Sequence, residues 1–240
     1  MMSEVIIALD FPDRNTTQSF LDLFRNQAAK PYVKIGMELF FAEGPKIVRD
    51  VASQGFRIFL DLKAHDIPNT VRGAMAQLTR LPVDLVNVHA SGGLAMMAAA
   101  AEGIRQGCGG GKRPLVIAVT ILTSIDTNQM NAELGMQGAA EDAAARLAVL
   151  AKKAGLDGVV CAPTEAARVH AECGADFLTV TPGVRFADAD AGDQKRVVTP
   201  QAAREMGSDY IVVGRPITRA QDPVQAFKKY TEALRMNNEK

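Results

Sequence analysis

The sequence carries no excess of charge: 27 Lys and Arg stand against 27 Asp and Glu over 240 residues. A chain neutral overall lacks the broad basic field that nucleic acid or an anionic membrane surface selects, so neither is expected as a partner. Cysteine is scarce and odd in number. Cys108, Cys161 and Cys173 lack the paired spacing of a zinc site and read as reduced thiols of a cytoplasmic protein. No apolar run is long enough to span a bilayer, the longest small-apolar stretch being residues 94–101. Met1-Met2-Ser3-Glu4 leads straight into Val5-Ile6-Ile7-Ala8-Leu9, without the basic and apolar regions of a signal peptide, so no export is expected. No linker or composition shift divides the chain, which reads as one domain over residues 1–240. A chain of this length can bury roughly 70–75% of its unfolded surface, so it needs neither a disulfide nor a structural metal.

Short apolar runs recur with helical stretches between them. Strands are expected at 5–9, 32–36, 58–62, 85–89, 115–119, 158–161, 177–181 and 210–213. Their near-continuous apolar character suits parallel strands covered by helices on the outside. Asp13 with Thr16, Thr199-Pro200 and Asp222-Pro223 supply helix N-cap signals, and Gly55, Gly155, Gly174 and Gly207 sit where helices end before the next strand. Eight such units in 240 residues match a (β/α)8 barrel, an α/β fold. A doubly wound open sheet is the alternative, but no glycine-rich turn follows Leu9. The cluster Gly107-Cys108-Gly109-Gly110-Gly111-Lys112 fails as a phosphate loop, because Gln106 and Arg113 stand where that motif needs Gly and Ser or Thr. It reads as a helix-to-strand connection.

Barrel chemistry sits at the C-terminal ends of the strands, and here those ends are charged. Strand 1 ends in Asp10, strand 2 holds Lys34, and strand 3 runs into Asp61-Leu62-Lys63-Ala64-His65-Asp66. Alternation puts Asp61 and Lys63 on one face and Leu60 and Leu62 on the other. With the leucines against helices, the two charges enter the barrel mouth. Buried ions must be paired, and Lys34, Asp61, Lys63 and Asp66 sum to zero, as an alternating array requires. An ammonium between carboxylates keeps its proton, which makes Lys63 a proton donor and argues against a Schiff-base lysine.

A second signal lies at strands 7 and 8. Thr181-Pro182-Gly183-Val184-Arg185 closes strand 7, and Gly214-Arg215-Pro216 follows strand 8, where barrels commonly bind phosphate. Backbone N–H groups at Gly214 and Arg215 and the guanidinium would meet the anion. Residues 185–195, with Gln194 near the far end, read as a lid.

The decapeptide Asp61-Leu62-Lys63-Ala64-His65-Asp66-Ile67-Pro68-Asn69-Thr70 resembles the signature of the orotidine 5′-phosphate decarboxylase family, in its bacterial type. Ala8-Leu9-Asp10, Lys34-Ile35-Gly36, the Val86-Asn87-Val88-His89 block through Gly93, Thr120 through Ser124, Thr181-Pro182-Gly183 and Val213 through Pro216 follow in that family's order. The resemblance covers essentially the whole chain. It implies decarboxylation of orotidine 5′-phosphate to UMP, the last step of de novo pyrimidine synthesis, without metal or organic cofactor. It implies Lys63 as proton donor to C6, Asp61 beside the departing carboxylate, and Asp66 and Lys34 completing the array. Asp10 and Lys34 would hold the ribose, Thr123 the pyrimidine edge, Arg185, Gln194, Gly214 and Arg215 would grip the phosphate, and Pro182 would also contact the substrate. It also implies a homodimer in which Asp66, Ile67 and Thr70 serve the neighbouring subunit's site.

His65 is expected to be structural and turned away from Lys63, His89 to orient Asn87 or a loop carbonyl, and His170 to lie at the surface. The ten methionines read as core filling. Two rivals share many of these features: a metal-dependent sugar-phosphate decarboxylase or epimerase with the same Asp-x-Lys-x-x-Asp pattern, and a non-catalytic barrel binding a phosphorylated metabolite. Ile67-Pro68-Asn69-Thr70 disfavours the first, and retention of all four charges disfavours the second.

Overall fold

A computed structural model describes residues 3–186 and 198–235. Its strands are β1 (Glu4–Ala8), β2 (Tyr32–Gly36), β3 (Arg57–Ala64), β4 (Leu85–His89), β5 (Leu115–Val119), β6 (Gly158–Val160), β7 (Leu178–Thr181) and β8 (Tyr210–Val213). They form a closed parallel barrel in sequence order, with β8 paired back onto β1, as the recurring apolar runs imply. The largest departure is β3, which continues past its apolar run through Lys63 to Ala64. Ladder pairing is a backbone property and does not stop where side chains become charged.

The helices are α1 (Arg14–Asp22), α2 (Met37–Glu43), α3 (Pro45–Ser53), α4 (Pro68–Leu78), α5 (Gly93–Cys108), α6 (Thr127–Glu133), α7 (Ala140–Lys153), α8 (Ala166–Cys173), α9 (Pro200–Glu205), α10 (Arg215–Thr218) and α11 (Pro223–Arg235). Asp13 caps α1 by accepting from Thr16 N, Thr199 caps α9 by accepting from Ala202 N, and Asp222 accepts from Gln225 N at the start of α11. The left-handed Gly109 terminates α5, so the glycine cluster is a helix-to-strand connection.

Alternation along the strands sorts the core into two parts. Val5, Ile7, Val33, Ile35, Ile58, Leu60, Val86 and Val88 face outward and are buried beneath the helices. Ile6, Tyr32, Phe59, Leu85, Ile117 and Val180 face inward and fill the lumen. Two residues further along β1, β2 and β3, the inward positions are Ala8, Lys34 and Asp61. The same parity that packs the lumen therefore delivers the charges to the open end. Among the described residues, no helix is long and apolar enough to cross a membrane.

Helix α4, which follows the charged end of β3, lies flush on α5 because α5 carries glycine at the contact. A Cβ on Gly103 would sit 2.2 Å from the Arg72 carbonyl oxygen, and one on Gly107 would sit 2.5 Å from that of Ala76. Alanine gains about 1 kcal/mol of helix propensity over glycine, but the clash is with backbone and cannot be relieved by a rotamer change. Gly103→Ala is therefore expected to destabilise by about 1–3 kcal/mol, since overpacking outweighs propensity. A thermal melt checks this: Tm should fall by roughly 2–12 °C. An unchanged or raised Tm would show that α4 can move away freely.

Candidate active site

The charged strand ends form one connected network. Lys34 Nζ lies 2.9 Å from Asp10 Oδ1 and 3.3 Å from Asp61 Oδ2, and Lys63 Nζ lies 2.7 Å from Asp61 Oδ1. Lys34 and Asp61 are each 11% exposed at the side chain against 58% for Asp10, so the central pair is interior and its outer member is wet. Burial alone would push the Lys34 ammonium down, but Asp61 and Asp10 outweigh it and hold the group above its ordinary value. Burial would likewise raise Asp61, yet the charges of Lys34 and Lys63, with hydrogen bonds from Lys63 and Asn87, hold its carboxyl low. Both groups remain ionised at neutral pH.

Leu60 and Leu62 pack against the outer core while Asp61 and Lys63 face inward, as alternation requires. The backbone does more than alternate. Lys63 has φ 51, the one non-glycine positive φ among the described residues. The β3–β4 register runs Leu60↔Val86 and then Ala64↔Val88, so β3 bulges against β4 across 61–63. Opposite the bulge stands Asn87, 1% exposed, whose Nδ2 donates to Asp61 Oδ1 at 2.7 Å while its Oδ1 accepts from Lys63 N at 2.8 Å. Sequence reasoning named Asn87 only within a motif block and as a group for His89 to orient. A polar residue inside the run Leu85-Val86-Asn87-Val88 was the available signal.

Asp66 does not join this network within the chain. It is exposed, and its Oδ1 accepts from Ile67 N at 2.7 Å, leaving Asp10 rather than Asp66 as the second carboxylate on Lys34. Ile67 (67% exposed) and Thr70 are also at the surface, beyond the cavity. The bend at Lys63 and the start of α4 at Pro68 carry this segment outward.

Above the network opens a cavity of about 550 Å³, within the range of small-molecule sites. Asp10, Lys34, Asp61 and Lys63 line it together with Thr123, Pro182, Arg185, Gly214 and Arg215. Arg185 is buried at 8% exposure, with its backbone N–H donated to the Val198 carbonyl, and Arg215 opens α10 at the exposed rim. Glu38, Ser124, Cys161 and Arg219 also line the cavity; of these, only Ser124 stood among the motifs read from the sequence. Gln194 lies outside the described residues, as does most of the segment 185–195.

Two of the three histidines depart from expectation. Simple alternation would place His65 on the Lys63 face, but the strand ends at Ala64 and His65 stacks on His89 at 5.7 Å between ring centroids. His89 meets Ser91 Oγ at 3.0 Å rather than orienting Asn87. Burial, then the nearby His65 and Lys63 charges, press its value below 6.5. His170 is not a surface residue: its Nε2 lies 2.9 Å from the Gly207 carbonyl and 3.4 Å from Asp209, beneath β7 and β8 at the end opposite the cavity. Among the described residues, no three His, Cys, Asp or Glu side chains cluster as a metal site.

A closed parallel barrel whose strand ends hold buried ammonium and carboxylate groups, facing an arginine-lined rim, defines a barrel enzyme for a small anionic substrate. The chain belongs to the Orotidine 5′-phosphate decarboxylase / HUMPS family, whose match spans residues 3–230. It is 51% identical over 229 residues to an orotidine 5′-phosphate decarboxylase of Bacillus cereus (strain AH820), covering 95% of each chain. The protein of that name from Bacillus mycoides (strain KBAB4) shows the same identity and coverage. Among solved structures, orotidine 5′-phosphate decarboxylase from Lactobacillus acidophilus superposes with TM-score 0.87 at 38% identity, over 98% of this chain and 100% of that one. An uncharacterized conserved protein from Geobacillus kaustophilus superposes with TM-score 0.84 at 46% identity, over 96% and 99%.

Proposed function

We infer that the chain decarboxylates orotidine 5′-phosphate to UMP and CO2, with Lys63 as the proton donor. The observation that carries this mechanism is the Lys63 ammonium on the cavity wall, anchored 2.7 Å from a buried carboxylate and ordered by a second ammonium behind it. Breaking the bond from C6 to the carboxyl carbon leaves an electron pair in the plane of the pyrimidine, where the ring π system cannot accept it. A fixed positive charge beside C6 stabilises that pair as it develops, and the same Nζ then delivers the proton that completes UMP. Solvent returns the proton to Lys63. Both Asp61 oxygens are already engaged by Lys34, Lys63 and Asn87, so the ammonium is the electrophile this arrangement presents.

In this reading Asp10 and Lys34 hold the ribose hydroxyls and Thr123 the pyrimidine edge. Pro182, Arg185, Gly214 and Arg215, with Gln194, take the phosphate end. The exposure of Asp66, Ile67 and Thr70 supports a homodimer in which each subunit lends these residues to its neighbour's cavity. Three free thiols and a biosynthetic family support a cytoplasmic location.

The test is the ultraviolet absorbance of orotidine 5′-phosphate followed over time with purified protein, with and without EDTA. Conversion to UMP indifferent to the chelator supports the reading. Loss of activity in EDTA would favour the metal-dependent alternative, and no conversion by folded protein would leave a phosphate-binding barrel with another substrate. The shared site has its own check. Mixing inactive Lys63→Ala chains with inactive Asp66→Ala chains should restore activity, because a heterodimer then contains one intact site. No recovery after demonstrated subunit exchange would reject the sharing.

A further inference from the structure

We propose that Asn87 is a positioning residue for the proton donor, its single amide fixing both the backbone of Lys63 and the carboxylate that anchors the Lys63 ammonium. This rests on the decarboxylase reading above and adds to it a residue that is 1% exposed and stands outside the cavity lining. The bulge of β3 against β4 across 61–63 interrupts the regular ladder, and Asn87 stands between Val86 and Val88 directly opposite. Its Oδ1 accepts from the Lys63 N–H at 2.8 Å, and its Nδ2 donates to Asp61 Oδ1 at 2.7 Å, the oxygen that also accepts from Lys63 Nζ at 2.7 Å. The amide thus closes a ring that runs from the Lys63 backbone along its side chain to Asp61 and back.

Only a residue with one donor and one acceptor on a short stem can make both contacts. Aspartate would face Asp61 with a second anion, and leucine would offer neither bond. A reversed amide would set oxygen against carboxylate and N–H against N–H, so the partners themselves fix its orientation. Lys63 holds φ 51, a conformation that non-glycine residues rarely adopt, and the bond from its N–H to Asn87 is what secures it. An inward position in this layer of β4 could have been filled by an aliphatic side chain, as Leu85 fills the layer beneath. A polar residue at 1% exposure here is explained by what it holds.

The experiment compares wild type with Asn87→Leu and with Asn87→Ser, the smaller polar variant carrying the comparison should Asn87→Leu fail to fold. Circular dichroism and UMP binding by calorimetry establish that each protein is folded with its phosphate and ribose contacts intact. The expected result is a kcat reduced about 10²-fold, the cost of a misplaced reacting group, with KM and UMP affinity within about threefold of wild type. The acid limb of the kcat/KM profile should also move to higher pH, because Asp61 loses a hydrogen bond that favours its ionised form. A residue that served only the fold would leave that limb in place. Folded variants with wild-type kcat, or with an unmoved acid limb, overturn the proposal while wild-type turnover stands. Absence of turnover in wild type itself would overturn the decarboxylase reading, and this proposal with it.

Discussion

Replacing Lys63 with alanine is expected to lower kcat by about 10⁵-fold, the product of losing a positioned general acid and a preorganised charge. The estimate follows from the two roles proposed for one nitrogen. A proton donor alone contributes roughly 10²–10⁴, and a charge aimed at the developing anion about 10²–10³ more. UMP affinity should change far less, because the phosphate contacts proposed above fall to other residues of the cavity, Arg185, Gly214 and Arg215. Stopped assays with high enzyme concentration read the residual rate, and calorimetry reads UMP binding. A kcat within tenfold of wild type would remove Lys63 from the chemistry, whatever the family. The fold should survive, since Asp61 keeps Lys34 at 3.3 Å and Asn87 at 2.7 Å.

Asp61→Ala is expected to destabilise by about 3–5 kcal/mol, the usual cost of stripping one partner from a buried ion pair. The loss leaves Lys34, 11% exposed, with only the wet Asp10 to answer it. The pH dependence has a definite sign. Asp61 is held below its ordinary 3.8 in the fold, so its contribution is present above that value and disappears as the pH falls through the lower folded value. Lys34 is held above its ordinary 10.5, so its contribution is present below that value and disappears as the pH rises through the higher folded value. Urea unfolding of wild type and variant should therefore give a stability difference that is flat from about pH 5 to 9 and narrows on either side. A difference that kept growing toward acid would mean that Asp61 is strained rather than stabilised by its neighbours. Activity should be lost as well, because the Lys63 ammonium would no longer have an anchor.

Much of this was legible before any coordinates. Parallel barrel strands are covered on both faces, so they appear as unbroken apolar runs, and the eight runs found the eight strands. Parity along strand 3 was enough to place Asp61 and Lys63 in the mouth, because Leu60 and Leu62 had to meet the helices. What sequence left hidden was contact across strands and departures from regular geometry. Lysine gives no sign of adopting φ 51, so the turn at Lys63 was invisible, and with it the outward course of Asp66. Formal charge suggested that Asp66 completed the array, since arithmetic cannot tell a carboxylate in the cavity from one on the surface. Within the chain Asp10 is the carboxylate that joins Asp61 on Lys34, and Asp66 lies at the surface, where the proposed dimer would use it. His170 looked like a surface residue because nothing in α8 announces that its ring reaches the Gly207 carbonyl, 37 residues away. Asn87 was passed over for the same reason: its partners lie on another strand, 24 and 26 residues distant.

The packed lumen beneath the array has an electrical consequence. Ile6, Tyr32, Phe59, Leu85, Ile117 and Val180 form a poorly polarisable plug directly under Lys34 and Asp61, so no water column can reach the charges from that end. Field lines from the ammonium groups are screened on only one side, toward the open cavity, where a bound substrate displaces the solvent that does the screening. The barrel thus works as an insulated electrode. Its output is small while the cavity holds water and rises as the substrate seals it, which concentrates the stabilisation in the complex where the bond to carbon is broken.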